Sequence, residues 1–140
     1  MIQEQKDLLL KDLCMRLPYK VKVEIKNVSK ICTLEEIDCN DDEMSVAVKH
    51  ENGELSGYDF DLAKPYLFPL SSMTEEQKEE LSLIACDLND SDTWRNGNII
   101  YIDNSYQLNE LLNFYHKNHL DYRGLISLGL AIDATGLNIY

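Results

Sequence analysis

His116 and His119 stand at i and i+3, with Asp121 close behind. On a helix that spacing puts both imidazoles on one face, which is half of a zinc-type ligand set. A metal site needs further ligands at metal spacing, and the remaining histidine, His50, sits beside a hairpin tip. Histidines and Lys117 in the last turn of a helix are also what the helix dipole favours. The simpler reading is a charged helix end. No cofactor is expected, and a metal-dependent enzyme using His116 and His119 stays as an alternative.

The tract Asp121-Tyr122-Arg123-Gly124 carries the next signal. Tyr122 and Arg123 are residue types that anchor protein interfaces. They serve equally well inside a fold, with Asp121 as a cap, Tyr122 on the core and Arg123 against a carboxylate. Tyr66, in the aromatic strip Tyr66-Leu67-Phe68, and Trp94, in a polar loop, complete the candidate partner-binding residues. The strip either docks a partner or packs across a sheet and joins two halves of the molecule.

Other patterns carry no chemistry. Gly124 and Gly129 have phosphate-loop spacing, but Leu130-Ala131 follows where Lys and Ser/Thr are needed, so the glycines mark turns. There is no G-x-S-x-G elbow. Cys14, Cys32, Cys39 and Cys86 form no C-x-x-C pair and read as reduced, mostly buried thiols. A cysteine and a histidine in one chain are not a dyad without geometry. Adjacent carboxylates such as Glu35/Glu36 and Glu79/Glu80 diverge in direction and read as solvated faces.

The elements that must position these residues follow from periodicity. Leu9, Leu13 and Leu17 recur every four residues, with Leu10 and Cys14 beside them, and predict a helix over 3–17 that Pro18 stops by moving Leu17 out of helical geometry. Val21, Val23 and Ile25 alternate with polar residues in a half-buried strand over 19–26. A second strand is expected over about 30–37. In the hairpin 44–62, a three-residue loop Glu51-Asn52-Gly53 sets Val46 opposite Tyr58 and Met44 opposite Phe60. A two-residue loop would set Val46 against Asp59 and mix faces.

Pro65 and Pro69 predict an extended crossover over 64–70 that is neither helix nor central strand. Thr74 and Gln77 form a capping box for a second helix, ending near Asn89, with Leu81, Ile84, Ala85 and Leu88 buried. A polar loop over 90–97 leads to a short strand or extended segment over 98–103. A third helix is expected from Asn104 or Ser105 to about Lys117, with a stripe of Leu108, Leu111, Leu112 and Tyr115. A short helix over 122–128, capped by Gly129, closes the reading.

Two tracts resemble a known set. Lys64-Pro65-Tyr66-Leu67-Phe68-Pro69-Leu70-Ser71-Ser72-Met73-Thr74-Glu75-Glu76, with His119-Leu120-Asp121-Tyr122-Arg123-Gly124-Leu125-Ile126 and Gly129-Leu130-Ala131, is similar to a widespread set of short uncharacterised proteins encoded by phages and integrated elements of gut anaerobic bacteria. The resemblance covers about half of the chain, mostly its second half. It implies a phage-related, cytoplasmic setting in a bacterial host and no particular activity. Residues 90–103 look longer than that set's usual layout, which places Trp94 in an added loop.

The chain is acidic throughout. Its 13 basic and 25 acidic groups give −12, spread over both halves, and there is no basic stripe. Direct binding to a phosphate backbone or an anionic membrane is disfavoured. The polar start has no signal-peptide layout, and no apolar run approaches a membrane span. Strands then helices predict an α+β fold: an N-terminal helix, a small, mainly antiparallel sheet of about four strands, then two to three helices. Residues 1–140 form a single domain in this reading, 1–70 helix plus sheet and 71–140 mainly helical. The function expected is that of a small phage- or prophage-type accessory protein, not an enzyme, acting by protein–protein binding. An acidic nucleic-acid mimic and an oligomeric or virion-associated component are the further alternatives. The oligomeric state and the partner's identity stay open.

Overall fold

The computed structural model describes residues 1–28, 30–40, 42–86 and 105–140. Trp94, Leu88, Asn104, the helix end near Asn89, and the loop and segment expected over 90–103 lie outside the described residues. The architecture is α+β. Helix α1 (Gln3–Arg16) precedes five strands: β1 (Lys22–Ile25), β2 (Ile31–Cys39), β3 (Met44–Lys49), β4 (Leu55–Asp59) and β5 (Ala63–Pro69). Helices α2 (Glu75–Cys86) and α3 (Ser105–Lys117) follow, then two short strands, β6 (Leu120–Asp121) and β7 (Ile132–Asp133). The strand order is β4-β3-β2-β1-β5-β6, with β7 also on β5. All pairings are antiparallel except those of β6 and β7 with β5. Among the described residues, no helix is long and apolar enough to cross a membrane.

Alternation makes the sheet amphipathic. Val21, Val23 and Ile25, Cys32 and Leu34, and Val46 and Val48 are buried together with Leu9 and Leu13 of α1. The hairpin takes the register of the three-residue loop: Val46 faces Tyr58, the His50 amide donates to the Glu54 carbonyl at 2.9 Å, and Gly53 has φ +88. That left-handed conformation is free to glycine. Met44 and Phe60 do not pair. The strand stops at Asp59, and Phe60 starts a single 3-10 turn that drives its ring into the core.

Other expectations are corrected as well. Pro18 does not eject Leu17 from helical geometry: Leu17 has φ −51 and ψ −44, and α1 passes into a 3-10 turn, Leu17–Tyr19. The crossover over 64–70 is a central strand, flanked by β1 on one side and by β6 and β7 on the other. The Lys26 amide donates to the Leu62 carbonyl at 2.9 Å. Hydrogen-bonded rungs alternate along an antiparallel ladder, so Pro65, opposite Val23, occupies a rung that asks no N–H of it on that side. On the other side β7 pairing begins only at Tyr66.

The sheet therefore has six or seven strands rather than about four, and two of them, β6 and β7, fall in 71–140. The segment expected as a helix over 122–128 is a set of turns. These close on Gly129 (φ +71) through Leu130 N–H to Leu125 C=O at 2.9 Å and Gly129 N–H to Ile126 C=O at 3.0 Å, a Schellman pair without the preceding helix. It carries Leu125, Leu130 and Ala131 back into the sheet core.

The helices α2 and α3 pack over the β5–β6 end through Leu70, Leu81, Leu111, Phe114, Tyr115 and Leu120. The Thr74–Gln77 box is formed in both directions, at 2.9 and 3.1 Å. Leu81 is buried and Ile84 half-buried; the side chain of Ala85 lies outside the described residues. On α3 the buried face is rotated from the expected stripe. Gln107, Leu111, Phe114 and Tyr115 are buried, and Leu108 is 45 % exposed.

Candidate functional site

The densest chemistry lies where α1, the end of α3 and the β6 turn converge. On α1, Leu9, Asp12, Leu13 and Arg16 share one face by helical spacing, and all four are fully buried. Arg16 Nε donates to Asp12 Oδ2 at 2.6 Å, and its Nη2 donates to Asp12 Oδ1 at 3.2 Å and to the Leu120 carbonyl at 2.7 Å. Arg123 comes to the same carboxylate, with Nε 3.3 Å from Asp12 Oδ1, and Nη2 reaches Met15 Sδ. Both guanidiniums lie by the Tyr122 ring, at 5.5 Å for Arg16 and 5.0 Å for Arg123.

Tyr122 stacks on Tyr115 at 4.9 Å, and its hydroxyl is 2.8 Å from His116 Nε2. Burial pushes the Tyr122 phenol up against the opposing pull of Arg123. Asp121, itself buried, accepts the amides of Leu125 and Ile126 at 2.8 and 2.9 Å and fixes the turn. The tract 121–124 thus takes packing roles: Asp121 caps, Tyr122 packs and Arg123 pairs with Asp12.

The two histidines do not share a helix face. The helix ends at Lys117, and His119 sits beyond it with φ 55. His119 stacks on Tyr140 at 3.6 Å. Burial, with Arg16 and Arg123 nearby, lowers His116 to about 4. Burial, with Arg16 and Lys22, lowers His119 to about 4. Both are neutral near pH 7 and act as packed, uncharged rings. Among the described residues no three metal-ligating side chains converge.

Among the described side chains the expected thiol burial holds at one position, and the side chain of Cys86 lies outside them. Cys32 is buried, whereas Cys14 and Cys39 are exposed. Cys14 falls beside the Leu9–Arg16 face of α1, and Cys39 ends β2 beyond the core. Tertiary structure also makes a Cys–His contact invisible in the sequence, because it spans three strands. Cys32 Sγ lies 3.3 Å from His50 Nδ1, and His50 Nε2 lies 3.0 Å from Ser56 Oγ. This is a nucleophile–base–orienter order, yet the thiol is 1 % exposed and burial pushes it up, against Lys22 and Lys30. The trio is a hydrogen-bonded chain around a buried thiol rather than a thiolate centre.

Tyr66 is 8 % exposed in the central strand, so the aromatic strip joins the two core clusters instead of presenting a docking edge. Among the described residues, two open hollows bear on a site. One, about 440 Å³, lies by Lys26, Lys64, Glu24 and Asp61, whose charges balance. The other, about 350 Å³, lies between α2 and α3, walled by Leu83, Ile84 and Phe114 and rimmed by Glu80, Glu110 and Lys117. Leu83 is 71 % exposed.

No protein-family model matches the chain, and no curated protein or solved structure matches it either.

Proposed function

We propose that this protein acts by binding another protein, as a small accessory factor of the phage or prophage type, and that the contact face is the groove between α2 and α3. One observation carries the reading: Leu83 is 71 % exposed and lies at a groove of about 350 Å³ that it shares with Ile84 and Phe114 and with the polar Glu80, Glu110, Asn113 and Lys117. Apolar surface grouped at a groove is where a partner can dock, and Leu83 adjoins Ile84 and Phe114 in this one. With Glu80 paired to Lys117 on the rim, Glu110 favours a partner segment with an apolar ridge and a basic residue beside it. The resemblance of the 64–76 and 119–131 tracts to phage-encoded proteins supports a bacterial cytoplasmic setting.

Acidic mimicry of nucleic acid is the weaker reading. Lys78 pairs with Glu75 and Lys117 with Glu80, which breaks the single-sign face that mimicry needs.

The test is a tagged pull-down of the full chain from bacterial host lysate at low and high salt, with Leu83→Asp in parallel. One stoichiometric partner kept at high salt by the wild type, and lost from a Leu83→Asp variant of unchanged melting temperature, is the expected result. A partner indifferent to Leu83→Asp, or released by salt alone, overturns the groove.

A further inference from the structure

Strands β1 and β5 leave one rung of their ladder open, and a phenol fills it. Their register pairs Glu24 with Lys64 and Ile25 with Ala63, and the Lys26 amide bonds the Leu62 carbonyl. Rungs 26/62, 24/64 and 22/66 therefore belong to the same hydrogen-bonding class. At 22/66 a hydroxyl stands in the ladder. The Lys22 amide donates to Tyr140 Oη at 2.8 Å, and Tyr140 Oη donates to the Tyr66 carbonyl at 2.8 Å.

The ring is held as specifically as the hydroxyl. It stacks on His119 with centroids 3.6 Å apart and planes 14° from parallel, and it tilts against Phe68 at 5.8 Å. His119 is itself fixed, since its carbonyl accepts the Phe68 amide at 2.8 Å. Beyond Ala134, which is buried and donates its amide to the Leu67 carbonyl at 2.8 Å, the chain has little else to hold it: Thr135, Gly136, Leu137 and Asn138 are exposed.

We propose that the end of the β1–β5 seam is a phenol-binding site, which the chain fills with its own Tyr140. One backbone donor, one backbone acceptor and an imidazole face together define a phenol: a benzene ring lacks the hydroxyl, and an aliphatic alcohol lacks the stacking surface. The segment 135–140 is then a strap secured chiefly by one side chain, and the site takes the same chemistry from solution when the strap lacks it.

The test uses the full chain with Tyr140→Ala. Thermal melts are followed with added p-cresol, the free form of the tyrosyl side chain, and with toluene as its hydroxyl-free counterpart. The melting temperature of Tyr140→Ala is expected to rise with p-cresol and to move far less with toluene, while the wild type, already filled, responds to neither. No response to p-cresol, an equal response to toluene, or an equal response of the wild type overturns the site. Should Tyr140→Ala not fold, amide exchange of Tyr140→Phe decides. The Lys22 amide is expected to exchange about tenfold faster than in the wild type, with Val23 and Glu24 unchanged, since a donor left without its acceptor loses protection. Unaltered protection at Lys22 overturns the site.

Discussion

Inside α1, Arg16 is bonded to Asp12 one turn earlier, Nε to Oδ2 at 2.6 Å, and both side chains are fully buried. Two guanidiniums, those of Arg16 and Arg123, share this one carboxylate. The cluster ties α1 to the β6 turn through the bond from Arg16 to the Leu120 carbonyl.

Asp12→Ala should therefore destabilise the protein by about 3–5 kcal/mol, because it strands buried positive charge rather than removing one contact. Denaturant melts of Asp12→Ala and of the double variant Asp12→Ala/Arg16→Met check this. The double variant should recover much of the loss. Equal stability of Asp12→Ala and wild type would sink the account.

Stability should fall between pH 6.5 and 4. His116 and His119 each go from an ordinary 6.5 to about 4 in the fold, chiefly through burial. Across that window the unfolded chain takes up protons that the folded one refuses. The stability is present above 6.5 and is lost as pH falls toward 4, on the order of 2–3 kcal/mol for each histidine. Melts at half-unit pH steps read this slope, and His116→Gln should remove about half of it. A flat profile for the wild type would contradict the burial of the neutral rings.

Thiol reactivity should separate the cysteines. Cys14 and Cys39 are exposed, and Cys32 is buried with its thiol pushed up. In the folded protein a small alkylating agent should modify Cys14 and Cys39 first, and Cys32 more slowly by a factor on the order of 10², limited by local opening. Peptide mass mapping over time reads this order. Rapid alkylation of Cys32 at neutral pH, abolished by His50→Ala, would instead make the Cys32–His50 contact an activated pair.

Much of the frame is legible in the sequence because it is local. The alternation at Val21, Val23 and Ile25, the Thr74–Gln77 box and the hairpin register through Glu51-Asn52-Gly53 rest on period, side-chain chemistry and turn geometry within a few residues. One part of the central cluster was legible too: Asp12 and Arg16 fall on the Leu9/Leu13 face by spacing alone, and charges on an apolar face mark a buried pair. The rest depends on partners distant in the chain. Pro65 reads as a strand breaker until the rung it occupies is known, and only the β1 register supplies that rung. Leu108 reads as core until α3 is rotated by the fit of Phe114 against α2 and β6. Neither the contact of Cys32 with His50 nor the insertion of Tyr140 between Lys22 and Tyr66 has any local signature. The sequence by itself determined which segments are amphipathic and where they turn. Tertiary structure decided which polar groups meet, because a buried donor takes whichever acceptor packing brings within reach.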